Sequence, residues 1–164
     1  MTSLPPQIDE AVRQFRDIYL GGIPLIIRDK SAFLSFVCVL TGIEALSGYR
    51  FSNQSPVNRR FKDFITAYFP PEYRSLVEPL WKFRNKMVHA FCPAEFGLTH
   101  HNSSVHFSQS PDGRTILNAE DFFKAFASAS EKLFTELESG PSLHQSMLDR
   151  INDLRDGGGI AVVS

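Results

Sequence analysis

The chain has 164 residues, which is the length of one ordinary domain. Hydrophobic residues make up 43% and charged residues 21%, with 15 Phe, 4 Tyr and 1 Trp, and this composition excludes intrinsic disorder for most of the length. Lys and Arg total 17 and Asp and Glu total 18, so the formal net charge of -1 excludes a protein that binds nucleic acid through bulk positive charge alone. Residues 50–106 hold 8 of the basic and 4 of the acidic residues, so an anionic ligand is expected to meet this segment; an unevenly charged surface is the alternative.

The cysteines and the N-terminus indicate the cellular setting. Cys38 and Cys92 lie in apolar surroundings without Cys-x-x-Cys spacing, which predicts two reduced core residues rather than a disulfide framework or a zinc ribbon. The first residues are neither basic nor followed by an apolar run, so a cytoplasmic location is expected. Residues 31–49 are the one stretch long enough to suggest a membrane span, but Glu44 and several small polar residues favour a buried helix, with no membrane contact.

Apolar spacing of three and four residues predicts two helices in the first third of the chain. The first is amphipathic and is expected to stop at Gly21–Gly22. The second runs to about Gly48, with Asp29 or Ser31 as its cap, and its apolar character on all sides predicts a place at the centre of the domain.

The rest of the chain predicts further helices and one small β element. Ser55–Pro56 opens helix three, and helix four runs over 71–91 with Pro79 kinking or dividing it. Residues 96–117 alternate in polarity around a Pro-Asp-Gly turn, which predicts a β-hairpin insertion. Helices five and six follow, over about 118–140 and 142–155.

These elements predict an all-α fold, a bundle of five to six helices with a small β-hairpin insertion. It would form a single domain over residues 5–156, with the hairpin at about 96–117. Three consecutive glycines predict a flexible tail over 157–164.

Helix four carries an arginine among apolar residues. A helical wheel places Arg84 between two apolar stripes, whereas Lys82 and Lys86 fall on the solvated side. A buried guanidinium needs a carboxylate or dense hydrogen bonding, because it does not lose its proton. Glu44 is the only charged residue of its apolar helix and is therefore the expected partner. The apolar residues of the two stripes are Leu76, Leu80, Phe83, Met87 and Phe91, and Val77, Trp81 and Val88.

Two further polar residues of helix four complete the candidate site. Asn85 and His89 are four residues apart and share a face beside Trp81, so that with Arg84 they would border one cleft. The alternative is purely structural: Glu44 and Arg84 form an internal salt bridge, and His89 is a boundary residue with its hydrogen bonds satisfied.

Residues 80–89 (LWKFRNKMVH) resemble the Arg-x4-6-His signature of HEPN domains, in which a polar residue such as Asn directly follows the arginine. The position of the motif late in an all-helical domain is also similar to that family. The resemblance implies a metal-independent endoribonuclease without a cofactor, whose homodimer joins two motifs into one composite cleft. It also implies RNA as the substrate and, for a toxin, a cognate antitoxin or inhibitor protein as a partner.

The resemblance assigns roles to the four residues. His89 would act as general base or acid, Arg84 would stabilise charge on the phosphorane, Asn85 would orient His89 or contact a phosphate, and Glu44 would hold Arg84. Toxin members paired with a nucleotidyltransferase antitoxin often carry Tyr two residues after the histidine, where this chain has Phe91. Many members of the family are defence effectors, and others are non-catalytic interaction modules, so a dimeric scaffold is the alternative function.

Two other groups of residues are candidates for ligand contact. Arg59, Arg60 and Lys62 lie among aromatic residues of helix three, as in an RNA-binding surface, although an amphipathic helix with a solvated face gives the same pattern. The histidines of the insertion, at 100, 101 and 106, lack a cysteine or carboxylate at metal-ligand spacing, so we expect surface histidines and no metal site.

Overall fold

A computed structural model describes residues 4–29, 32–51, 55–90 and 92–156, with side chains up to residue 154. The predicted cap Ser31, the residue Phe91 and the predicted tail 157–164 lie outside the described residues. The all-α bundle with a small β insertion is confirmed. Its α-helices within the described residues are α1 Pro6–Phe15, α2 Gly22–Arg28, α3 Ala32–Arg50, α4 Val57–Tyr68, α5 Val77–Ala90, α6 Ala119–Ser139 and α7 His144–Asp156.

The apolar helix α3 is the centre of the bundle. It packs against α2, α4, α5, α6 and α7, and Phe36, Leu40 and Ile43 are almost completely buried. Among the described residues it is the one helix long and apolar enough to cross a membrane, but more than half of its apolar stretch is buried inside the protein. This packing is that of a core helix, as the sequence predicts.

The predicted stop of the first helix at Gly21–Gly22 is wrong. A π-helical turn, Arg16–Gly21, follows α1 and leads directly into α2, which ends at Arg28. Gly22 has helical angles, φ −80° and ψ −42°, because the glycines are followed by the apolar residues Ile23 and Ile27, whose burial keeps the backbone helical. Tertiary packing thus outweighs the low helix propensity of the glycine pair.

The predicted division of helix four is present but lies before Pro79. A 3₁₀ turn, Pro71–Leu76, precedes α5, and Pro79 falls in the first turn of α5. A proline there removes no internal hydrogen bond, because the first N–H groups of a helix have no intrahelical acceptor.

The insertion contains two strands, but they do not form the predicted hairpin. Strand β1, Phe96–Thr99, runs parallel to β2, Thr115–Asn118, with Phe96 opposite Thr115. The predicted turn is present, since Ser110 N–H donates to the Arg114 carbonyl at 2.8 Å. The antiparallel contact beside it consists of one bridge and of two backbone hydrogen bonds between Ile116 and residues 107–108. The parallel arrangement buries both Phe96 and Leu117 in the bundle core, which fixes the direction of the two strands.

Candidate active site at the cleft between α3, α5 and α7

An ion pair between α3 and α5 forms the centre of the candidate site. Arg84 Nη2 lies 2.5 Å from Glu44 Oε2, and the two side chains are 18% and 30% exposed. The pairing expected from the sequence is therefore present. Its partial burial means that the two charges are screened less than a surface pair but remain accessible from solvent.

Further contacts hold the Arg84 guanidinium. Its Nη1 donates a hydrogen bond of 3.0 Å to Oδ1 of Asn85, and its Cζ lies 5.7 Å from the centre of the Trp81 ring, within the range of a cation–π contact. Its Nε is buried and has no hydrogen-bond partner among the described residues. Arg84 is therefore fixed in orientation and retains an unused donor.

Arg84 borders an open cleft of about 280 Å³ between α3, α5 and α7. Its lining combines charged side chains with apolar and aromatic ones, a combination that suits a ligand with both a charged group and a ring. The lining residues are Thr41, Glu44, Ala45, Tyr49, Arg84, Arg150 and Leu154.

Two arginines beside the cleft were not predicted as parts of one site. Arg150, on α7, passes over α3 where Gly48 has no side chain, so that a Cβ at Gly48 would lie 3.1 Å from the Arg150 Nε. Arg60, on α4, is only 6% exposed, and its Nε has no hydrogen-bond partner among the described residues. Burial and the charge of Arg150 lower the pKa of Arg60, and the charge of Glu44 opposes this effect.

His89 is exposed near the end of α5, and its ring has no hydrogen-bond partner among the described residues. It follows Arg84 by five residues, which places the two side chains about 140° apart around the helix. Val88, beside it, is 45% exposed, so the second apolar stripe expected from the sequence is not wholly part of the core. The structure thus brings Arg84, Asn85 and Glu44 together and leaves His89 on a different face of α5.

The predicted basic patch on helix three does not form one surface. Arg59 is exposed and lies 3.7 Å from Asp63, and Lys62 lies 2.6 Å from Glu78 on α5, whereas Arg60 is buried. Arg60 points about 100° away from Arg59 and about 160° away from Lys62, so it does not share the side of α4 on which Arg59 and Lys62 lie.

The histidines of the insertion have different environments. His101 is exposed, and its Nδ1 lies 2.5 Å from Glu120 Oε1. His106 is half-buried: its Nε2 lies 3.1 Å from the Tyr73 hydroxyl, and its Nδ1 accepts a hydrogen bond of 3.0 Å from the Asn118 N–H. His106 is therefore a structural residue and not the surface histidine expected from the sequence.

Arg150 and Tyr49 are parts of the cleft that were not predicted from the sequence. Arg150 directly precedes the buried Ile151 on α7, and Tyr49 lies near the end of α3, a mostly apolar helix. Their only sequence signal is a polar residue at the edge of an apolar stripe, which does not indicate the element it faces.

Comparison with known proteins does not place the chain in a family. No family model, no curated protein and no solved structure matches it.

Proposed function

We propose that the protein is a metal-independent endoribonuclease of the HEPN type, active as a homodimer. The observation that carries this proposal is the state of Arg84: Glu44 and Asn85 orient its guanidinium, its Nε is unused, and it borders an open cleft on the helix that carries the exposed His89. An oriented guanidinium suits the stabilisation of negative charge on a phosphate in the transition state. Such a protein would act as a toxin or a defence effector.

In the proposed reaction, the imidazole of His89 accepts the proton of a ribose 2′-hydroxyl. The 2′-oxygen attacks the adjacent phosphorus, and the bond from phosphorus to the 5′-oxygen breaks. A protonated imidazole, that of His89 of the partner subunit, gives a proton to the leaving 5′-oxygen. The products are a 2′,3′-cyclic phosphate and a 5′-hydroxyl, and Arg84 stabilises the charge that develops on the phosphorane.

The separation of Arg84 from His89 supports a composite site. Because the two side chains lie about 140° apart on one helix, a single copy does not direct both toward one phosphate. A second copy packed on α5 would supply the missing group. The apolar side chain of Val88, which lies within the motif and is 45% exposed, suits such a subunit contact.

Cleavage of labelled single-stranded RNA in excess EDTA tests the proposal. We expect the wild-type protein to cleave the RNA and His89→Ala to lose at least about 100-fold in rate, since a general acid–base group contributes that much. Arg84→Ala should lose a similar factor because it removes a charge stabiliser.

The controls are exposed residues of the same types outside the cleft, changed as His100→Ala and Arg114→Ala. Circular dichroism and urea unfolding establish that each variant is folded. Full activity in folded His89→Ala, or equal losses in the control variants, would contradict the proposal.

The ion pair itself favours a second candidate function, a non-catalytic dimeric interaction domain. In that case the role of Arg84 is to form an ion pair with Glu44. Neither the wild-type protein nor any variant then cleaves RNA. Arg84→Ala would then lower the free energy of unfolding by about 1–3 kcal/mol, because it leaves a half-buried carboxylate without its partner. Urea unfolding measures this loss in the same preparations.

A further inference from the structure

The cleft gathers more positive than negative charge. Arg84 and Arg150 line it, and Glu44 is the only carboxylate among the lining residues. Glu44 is paired with Arg84, and the third arginine, Arg60, lies close enough to Arg150 and Glu44 for both charges to change its pKa. A guanidinium does not relieve this repulsion by losing its proton.

Arg84 retains an unpaired donor at this cleft. Its Nε is buried and has no hydrogen-bond partner among the described residues. A buried charged donor without an acceptor is unfavourable, unless an anion supplies the acceptor. The Nε of Arg60, a residue of α4 that is only 6% exposed, also has no partner among the described residues.

We propose that Arg84 and Arg150 together form a binding site for a phosphate group in this cleft. Guanidinium groups bind phosphate through paired N–H donors, and the negative charge of the phosphate would offset the excess of positive charge. The apolar and aromatic lining residues Ala45, Tyr49 and Leu154 would accommodate the sugar or base attached to that phosphate.

The ligand class is therefore a nucleotide phosphate, either of a free nucleotide or of an RNA strand. The RNA source rests on the proposed ribonuclease, in which the group would be the backbone phosphate that is cleaved. Phosphate binding itself needs neither His89 nor cleavage. The two proposals therefore fail separately.

Thermal unfolding and calorimetry with three probes test the site: inorganic phosphate, adenosine 5′-monophosphate and a 2′-O-methyl RNA oligonucleotide, which has no nucleophile for cleavage. Chloride at the same ionic strength is the reference. The variant is Arg150→Gln, with Arg114→Gln on the exposed turn of the insertion as the matched control.

We expect phosphate to raise the melting temperature of the wild type and of Arg114→Gln, because a ligand that binds only the folded state stabilises it. Arg150→Gln should lose this increase and bind at least about 10-fold more weakly, as expected for the loss of a charged hydrogen-bond donor.

Equal phosphate effects in wild type, Arg150→Gln and Arg114→Gln would overturn the site, as would the absence of any effect in the wild type. Tighter binding of the oligonucleotide than of the mononucleotide supports an RNA phosphate. Binding of the mononucleotide alone supports the site and contradicts the RNA source. Phosphate binding without RNA cleavage contradicts the ribonuclease only, and cleavage without phosphate binding contradicts this site only.

Discussion

The environment of His106 fixes its protonation state. The Asn118 N–H donates to Nδ1, so the neutral ring carries its proton on Nε2, which donates to the Tyr73 hydroxyl oxygen. Burial lowers the pKa of His106, although Asp121 and Glu72 oppose this effect. Burial raises the pKa of Tyr73, so the phenol stays protonated. The pair therefore links the insertion to the bundle in its neutral form.

This arrangement predicts a loss of stability in mild acid. As the pH falls below about 6.5, the unfolded chain binds a proton at residue 106 that the folded protein does not yet bind. The free energy of unfolding therefore decreases until the pH passes the lowered folded-state pKa, below which both states are protonated. Because only one group titrates, the additional change of the free energy of unfolding with pH corresponds to the uptake of less than one proton.

His106→Asn is the matched variant, since its Oδ1 can accept the Asn118 N–H without titrating. We expect the wild type to lose stability more steeply than this variant between pH 7 and pH 5, as measured by urea unfolding at each pH. Parallel curves for the two proteins would refute the prediction.

The Arg84–Glu44 pair is an example of a contact that residue types alone predict. Each residue is a charge in an apolar helical pattern, and the cost of burying a charge predicts that the two pair. The structure contains the pair. The separation of His89 from Arg84 also follows from helix geometry, but its exposure depends on which elements cover α5.

At the scale of elements, the packing of α3 against α6 depends on Gly42. A Cβ at this position would lie 2.5 Å from Cζ of Phe126 and 3.0 Å from Cδ1 of Tyr19. Phe126 is completely buried, so it has no space into which to move. The absence of a side chain at Gly42 is therefore a condition for the close approach of the two helices.

We expect Gly42→Ala to lower the free energy of unfolding by about 1–3 kcal/mol, the usual cost of overpacking a core. Gly22→Ala is the control, because Gly22 is helical and a Cβ there meets nothing within 4 Å. That variant should gain about 0.4–1 kcal/mol, since alanine restricts the unfolded chain. Urea unfolding of both proteins measures the contrast, and equal stabilities would show that α3 and α6 separate without cost.

At the scale of the whole molecule, the proposed composite site requires two copies to meet at α5. Val88→Glu should therefore convert a dimer to a monomer and lower RNA cleavage by at least about 100-fold, because charge in an apolar contact opposes association and the site loses half its groups. Light scattering coupled to gel filtration gives the mass, and the cleavage assay gives the rate.

Ile18→Glu is the matched control, since Ile18 is an equally apolar residue, 58% exposed, on the π-helical turn. It should leave both the mass and the rate unchanged. A monomeric wild-type protein that cleaves RNA would contradict the composite site. A dimer that Ile18→Glu breaks and Val88→Glu does not would place the interface elsewhere.

The sequence by itself determined the helical bundle, the central place of α3 and the pairing of Glu44 with Arg84. These follow from local periodicity and from the cost of burying charge, and both act on residues whose spacing is visible in the chain. Only the tertiary structure decided the parallel direction of β1 and β2, the continuity of α1 with α2, and the meeting of Arg84 and Arg150 at the cleft. Those features depend on which distant elements share a core, and contacts across long stretches of chain leave no periodic signal in the sequence.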